Sequence, residues 1–492
     1  MSYRLLALWL VCYAAAWTLL TVHLDPTLPY DAVEALNWGL NGEWGSPKNP
    51  WLVGAAMHPA IWLSWLPLNV YWYGGHFIAI AIGMLGVWLL ARRLSGSTSL
   101  AWMALLTLNL SGIINFDIIP YNDNYLLVML WPWMALFFHM AISRSANWWP
   151  AFALVAGLAM MAKYSTFAFV YFVALSTLFV PQVRRCYRQP QFYLAVAIWL
   201  ALVLPNVFWL WNHDFAAFKW VDSQIKMQLN LDMLQSLLLV FYPSLVLWAI
   251  LRRSGAVLAW PSALPMRVLL WIYLLPLGII TFWFSFNVGG RLTEWLQPFF
   301  MLAPALLVGC VRQPPVRSLR AATLGLMCAA LAVYLGYAAV MLGNVRNAGQ
   351  KMVGIKAFSA GVERQWQERY GVDLRYVGGE YLSQWMTVYV GSRPQTITRW
   401  SNHTRPNIYN VNISYPQIAQ HGVALFGRLG EDCAHSDFGG ELAHWPKMRL
   451  DWQQTLTFRA DPHADEQTLC VGFVRPQNRR RWAPPRFRLS KR

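Results

Sequence analysis

Windows of apolar residues long enough to cross a bilayer recur along this chain until about residue 344. A hydrocarbon core about 30 Å thick needs roughly 20 such residues in a helix. The windows fall near 5–23, 75–91, 98–115, 124–142, 149–162, 164–180, 192–211, 234–251, 267–286, 295–311 and 321–343, about eleven spans in all. The pattern predicts an all-α polytopic membrane protein. Composition excludes the alternatives: 57% of residues are hydrophobic and 12% charged, against about 25% charged in soluble domains. Such a chain is neither an ordinary soluble enzyme nor disordered. The run from Met1 to Leu24 is too long for a typical signal-peptide core, so it reads as a retained first span.

Charge placement orients the spans. With the N-terminus in the cytoplasm, thirteen Arg fall on inner loops, and five Lys or Arg fall on outer loops before residue 344. This is a positive-inside pattern. All ten Asp and Glu before residue 344 fall on the outer side, several of them at span ends beside aromatics. Acids contribute little to orientation, so their gathering at one face points to use there, beyond solvating the loops. The net charge of +17 therefore reflects topology and does not call for nucleic acid. Residues 1–344 read as the membrane domain, with a first outer loop at 23–74. Residues 345–492 read as a polar, mixed C-terminal domain, placed outside by the odd span count. The compact loops point to a bacterial source, which makes that side the oxidising periplasm. Cys433 and Cys470 are the two cysteines in polar sequence and could pair there. The tail from Arg475 to Arg492 is basic and either solvated or in contact with anionic lipid or lipopolysaccharide.

Candidate chemistry lies on the outer loops. Asp31 and Glu34 are three residues apart, with Trp38 following, so a helix would align them on one stripe. A carboxylate there suits a general base. Lys48 sits in a Pro-flanked turn suited to holding an anion. Tyr121, Asn122, Asp123 and Asn124 precede the fourth span, with more polar groups than one helix cap needs. Lys163 interrupts an apolar stretch, where cations are costly and usually paired or functional. Arg291 and Glu294 open the tenth span, either as a local salt bridge or as a phosphate contact. His213 reads as a loop histidine. Glu43, His58 and His213 are weak metal candidates, so a divalent metal stays open and no cofactor is assigned.

These segments, in this order, resemble glycosyltransferase family 39, which has the GT-C membrane fold and includes protein O-mannosyltransferases and bacterial lipid A aminoarabinose transferases. The resemblance rests on Asp31, Glu34, Trp38, Trp44, Gly45, Lys48, Pro50 and Leu52. Asn49 stands where His is usual, and Trp51 where a second Pro is usual. It rests further on Asn122, Asn124, Leu126, Leu127, Trp131 and Pro132, on Gly157, Leu158, Lys163 and Tyr164, on Trp211, Asn212 and Phe215, and on Trp295 to Pro298. Glu294 stands where Arg is usual, which leaves Arg291 as the substitute. Val377 to Tyr381 resembles a tail segment of the bacterial branch.

The resemblance implies an inverting transferase in the bacterial inner membrane. It would take a sugar from a polyprenyl-phosphate donor to a periplasmic acceptor, with lipid A, lipopolysaccharide or another envelope glycan expected. Asp31 would be the catalytic base, with Glu34 and Asp123 alongside. Lys48, Lys163 and Arg291 would bind the donor phosphate. Asn122, Asn124, Tyr121, Tyr164, Trp38 and Glu294 would line the sugar or acceptor. A flippase for lipid-linked sugars and an O-antigen ligase-type enzyme are the rival readings. A flippase would place its polar groups near the midplane, and here they cluster at one face.

Overall fold

The computed structural model describes residues 3–63, 65–116, 122–288, 292–313, 319–343, 352–397, 399–400, 407–408, 413–460 and 464–477. Along the chain the main helices are α1 (Tyr3–Leu24), α2 (Tyr30–Asn41), α3 (Trp51–Met57), α4 (Leu68–Ser95), α5 (Thr98–Leu108), α6 (Tyr125–Ser143), α7 (Trp149–Ala162), α8 (Thr166–Phe179), α9 (Pro190–Asn212), α10 (Ala216–Gln224), α11 (Met233–Arg253), α12 (Leu264–Ser285), α13 (Leu292–Gly309) and α14 (Arg320–Gly343). Then come α15 (Gly354–Tyr370), α16 (Ser383–Tyr389) and α17 (Tyr415–His421). Five strands form one sheet: β1 (Tyr376–Gly379), β2 (Gln395–Thr396), β3 (Val423–Phe426), β4 (Trp452–Phe458) and β5 (Gln467–Val474).

The chain forms two compact units. One comprises Met1–Asp25 and Trp44–Gly349, the other Pro26–Glu43 and Gln350–Arg492. The first unit is the helical one. Among the described residues, seven of its helices are long and apolar enough to cross a membrane: α1, α4, α6, α9, α11, α12 and α14. An eighth is added if α8 and the bent segment Pro181–Arg188 form one span. The chain is a multi-pass membrane protein of the all-α class. Every one of the eleven expected windows forms a helix, but α5, α7 and α8 are too short to cross alone. Asn109 and Ser111 end α5, and Lys163 ends α7. The outer faces of the long helices carry exposed Leu19, Phe208 and Leu335, as expected of helices that meet lipid.

Inside, the unit packs around fully buried aromatics, among them Trp72, Trp88, Trp102, Trp131 and Phe77. Helices α4 and α6 approach closely at Gly83. A Cβ there would lie 2.3 Å from the Val128 carbonyl oxygen. Small residues at such crossings let backbones meet where no hydrophobic drive between helices exists. This contact fixes the start of α6 and the loop just before it.

The second unit is the α/β one. Its sheet has the order β4-β5-β3-β1-β2. β1 runs parallel to β2 and β3, whereas β5 is antiparallel to β3 and β4. Its core gathers Tyr376, Ile397, Ile418, Val423, Leu425 and Phe438. Cys433, in the loop after β3, is joined by a disulfide to Cys470 on β5.

Helix α2 belongs to this unit. Trp385 Nε1 donates to the Leu28 carbonyl (3.2 Å), and the Leu28 N–H donates to the Tyr389 hydroxyl (2.8 Å). The Tyr30 ring meets those of Tyr381 and Trp385 at 4.8 and 5.4 Å. The outer loop at 23–74 is thus divided: its first helix folds with the C-terminal unit, and the segment from Trp44 onward folds with the membrane unit.

Candidate active site

Residues 45–50 form a tight turn. Gly45 and Pro50 pair as an isolated antiparallel bridge. Inside it the Ser46 N–H donates to the Asn49 carbonyl (2.9 Å), and the Asn49 N–H donates to Ser46 Oγ (2.8 Å). The turn holds Lys48 at its tip, half-buried, with Nζ 5.6 Å from the Trp220 ring centroid. An ammonium over an indole face is an attractive cation–π placement.

Asn49 points to a second polar segment, where its amide Nδ2 donates to Asp123 Oδ2. Asp123 lies just before α6 and is buried. Its other oxygen, Oδ1, accepts from Lys163 Nζ at 2.9 Å. Lys163 reaches it because α7 stops there. Its backbone turns extended (φ −157°, ψ 136°), which throws the side chain off the helix. Lys163 Nζ also donates to Asn124 Oδ1 (2.7 Å). Asn124 Nδ2 in turn donates to Gln297 Oε1 (2.6 Å) and to the Glu294 carbonyl (3.0 Å) on α13. One amide thereby ties the loop before α6, the α7–α8 break and the start of α13.

Electrostatics follow from this arrangement. Burial alone would push the Asp123 carboxyl up. The charges of Lys163 and Lys48, with hydrogen bonds from Lys163 and Asn49, outweigh it and hold the carboxyl below its ordinary value. Asp123 is thus an anion that keeps its charge and accepts protons poorly. The charges of two ammonium groups, Lys163 and Lys48, act on this carboxylate, and groups of that kind suit an anionic ligand.

His76, on α4, supports the same loop from below. Its ring nitrogens lie 2.9 Å from the Trp72 carbonyl and 2.7 Å from the Asn122 carbonyl. The Tyr125 ring lies against it at 3.9 Å. Asn122 Oδ1 accepts from the Asn124 N–H (2.9 Å).

The structure brings Lys48, Lys163, Asn122, Asp123 and Asn124 into this one region of the membrane unit. Glu294 touches it through its backbone. Tyr164 sits instead in an apolar cluster with Trp209, Leu210 and Ala217, its ring 5.2 Å from that of Phe218. Tyr121 and Arg291 lie outside the described residues. Asp31, Glu34 and Trp38 lie on α2 in the other unit. Asp31 is half-buried in the first turn, and Glu34 and Trp38 are buried.

Among the described residues, no group of three or more His, Cys, Asp or Glu side chains gathers to hold a metal ion. The His58 ring lies tilted against Trp62 at 5.1 Å, and His213 stacks on Trp209 at 4.1 Å. Sequence reasoning missed His76, Asn49 and Gln297. A histidine inside an apolar span is itself a signal. Asn49 and Gln297 lie within the motifs of the resemblance but are given no role there, because their partners are distant in sequence.

The chain has the GT-C type of membrane fold. The chain superposes on the crystal structure of ArnT from Cupriavidus metallidurans bound to undecaprenyl phosphate, with TM-score 0.59 and 13% identity, over 95% of this chain and 97% of that one. It also superposes on the cryo-EM structure of the arabinofuranosyltransferase AftD from Mycobacteria, with TM-score 0.52 and 15% identity. That match covers 98% of this chain and 40% of that one, so the chain spans less than half of AftD. At these identities the likeness is one of fold. A family model described as dolichyl-phosphate-mannose-protein mannosyltransferase matches residues 70–209, from α4 to α9. The matched segment contains Asp123, Lys163 and His76. No curated protein matches the chain in sequence.

Proposed function

We propose that the protein is an inverting glycosyltransferase that moves a sugar from a polyprenyl-phosphate donor to an acceptor at the outer face of a bacterial inner membrane. The observation that carries this reading is the placement of Lys48 and Lys163, whose charges both act on the buried Asp123 of the helical membrane unit. A lipid phosphate leaving group needs cations placed where its charge grows, and apolar helices for its tail. The ArnT structure, solved with undecaprenyl phosphate, supports the donor class. The inner-membrane setting, the cytoplasmic N-terminus and the periplasmic C-terminal unit rest on the charge bias of the loops.

In this mechanism Lys48 neutralises the donor phosphate. Lys163, steadied by Asp123 and Asn124, adds positive potential. Asp31 takes the proton from an acceptor hydroxyl as its oxygen attacks the anomeric carbon. The bond from that carbon to the phosphate oxygen breaks, and configuration inverts. An acceptor phosphate would already be ionised, and Asp31 would then orient it. Glu34 and Trp38 share the helix of Asp31 and would shape the acceptor side. Asn122 and Asn124 would face the sugar. The acceptor class proposed is lipid A, lipopolysaccharide or another envelope glycan.

The test is binding of undecaprenyl phosphate to the full chain in nanodiscs. Lys48→Ala is expected to weaken it on the order of tenfold or more, the worth of one charged contact. Asp31→Asn is expected to leave binding intact while abolishing transfer. Equal binding by wild type and Lys48→Ala would remove Lys48 from the donor site.

A further inference from the structure

We infer that Asn206 is a positioning residue for Lys48, through a clasp that fixes the Lys48 turn on the proline-containing turn of α9. The inference rests on the reading of Lys48 as the donor-phosphate cation.

The turn at 45–50 has no regular sheet or helix to hold it. Three contacts with α9 do so instead, all within the membrane unit. Asn206 is buried, and its Nδ2 donates to the Trp44 carbonyl at 2.7 Å. Gly45 lies flat on the Trp209 indole, where a Cβ would come within 2.4 Å of Cε3. Trp51 Nε1, on the far side of the turn, points at the Leu202 carbonyl at 3.4 Å. Lys48 is therefore bracketed on both sides by contacts to one helical segment.

The segment is suited to this because Pro205 lies within it. Proline removes one helical N–H and bends the ladder. Trp51 reaches the Leu202 carbonyl in the turn that precedes this proline. Asn206, the next residue, supplies the strongest of the three contacts, because its partner is a backbone carbonyl fixed by the turn. Trp209 is itself backed by the His213 ring at 4.1 Å, nearly parallel to it, so the platform under Gly45 does not yield easily. A cation contributes to leaving-group stabilisation in proportion to how well it is pre-placed. Loss of the clasp lets the ammonium sample positions away from the phosphate.

The test uses full-length protein in nanodiscs and undecaprenyl phosphate as the probe. The variants are Asn206→Leu, Asn206→Gln, Lys48→Ala and the Asn206→Leu/Lys48→Ala double. The readouts are affinity, melting temperature and amide hydrogen exchange over residues 44–51. Asn206→Leu is expected to weaken binding about tenfold, in line with one lost hydrogen bond, with a near-wild-type melting temperature and faster exchange at 44–51. Asn206→Gln, which keeps an amide donor, should recover part of both. In the Lys48→Ala background, Asn206→Leu should cost nothing further. Wild-type affinity in Asn206→Leu would overturn the inference, as would the same loss with and without Lys48. If Lys48→Ala alone binds like wild type, the donor reading fails and exchange judges the clasp separately. Faster exchange at 44–51 in Asn206→Leu would then uphold the clasp, and unchanged exchange would refute it.

Discussion

Asp123 and Lys163 are the pair on which the cluster is built, and the burial of Asp123 beside a half-buried Lys163 makes the loss of either partner costly. Removing one partner of a buried pair leaves an uncompensated charge, at a cost of about 3–5 kcal/mol. Asp123→Asn is expected to destabilise the protein on that scale in unfolding from detergent micelles. Asp123→Asn combined with Lys163→Met should recover part of the loss. The same carboxyl sets a pH dependence. Its folded value lies below the ordinary 3.8, so its stabilisation is complete above that value and lost as pH falls through the lower folded one. Melting temperature should hold from neutrality to about pH 5 and drop below about pH 4, with a smaller drop in Asp123→Asn. Lys163 was legible in the sequence as a lone cation in an apolar run, and Asp123 as a polar excess beyond capping. Their hydrogen-bond partners were not. Asn49 and Asp123 are 74 positions apart, and Asn124 and Gln297 are 173 apart. Only the packing of α4, α6 and α13 brings them together.

Elements, unlike residue pairs, announce themselves by local pattern. All eleven apolar windows became helices, because hydropathy over about 20 residues is a strong signal. The windows at 149–162 and 164–180 already held the cut at Lys163; what they could not tell was that Asn109 would end α5 well before residue 115. The division of the first outer loop was equally hidden. Helix α2 joins the C-terminal unit through partners such as Trp385 and Tyr389, more than 350 residues away. Its carboxylate stripe was legible; its home was not. Packing between elements yields a further prediction. Gly83→Ala puts a methyl group against the Val128 carbonyl of α6, where both sides are helix backbone and neither can move aside. It should cost about 1–3 kcal/mol as overpacking, seen as a lower melting temperature.

For the molecule as a whole, the two units are held by different means. The membrane unit relies on helix packing among buried aromatics. The C-terminal unit adds a covalent tie, since Cys433 and Cys470 close a separation of 37 residues. Loop-closure entropy assigns such a bond about 3–4 kcal/mol. Reductant should lower the unfolding temperature of the wild type, and should leave the Cys433→Ala/Cys470→Ala variant unchanged. Such a bond persists in an oxidising compartment.

The proposed function makes an envelope molecule the sugar acceptor and Asp31 the base. Mass spectrometry of lipid A, lipopolysaccharide, other envelope glycans and membrane proteins tests it most directly. The comparison is between a deletion strain and strains restored with wild type or with Asp31→Asn. The account predicts that one glycosyl mass increment disappears on deletion, returns with the wild type and does not return with Asp31→Asn. Identical profiles in every fraction, or full restoration by Asp31→Asn, would contradict it.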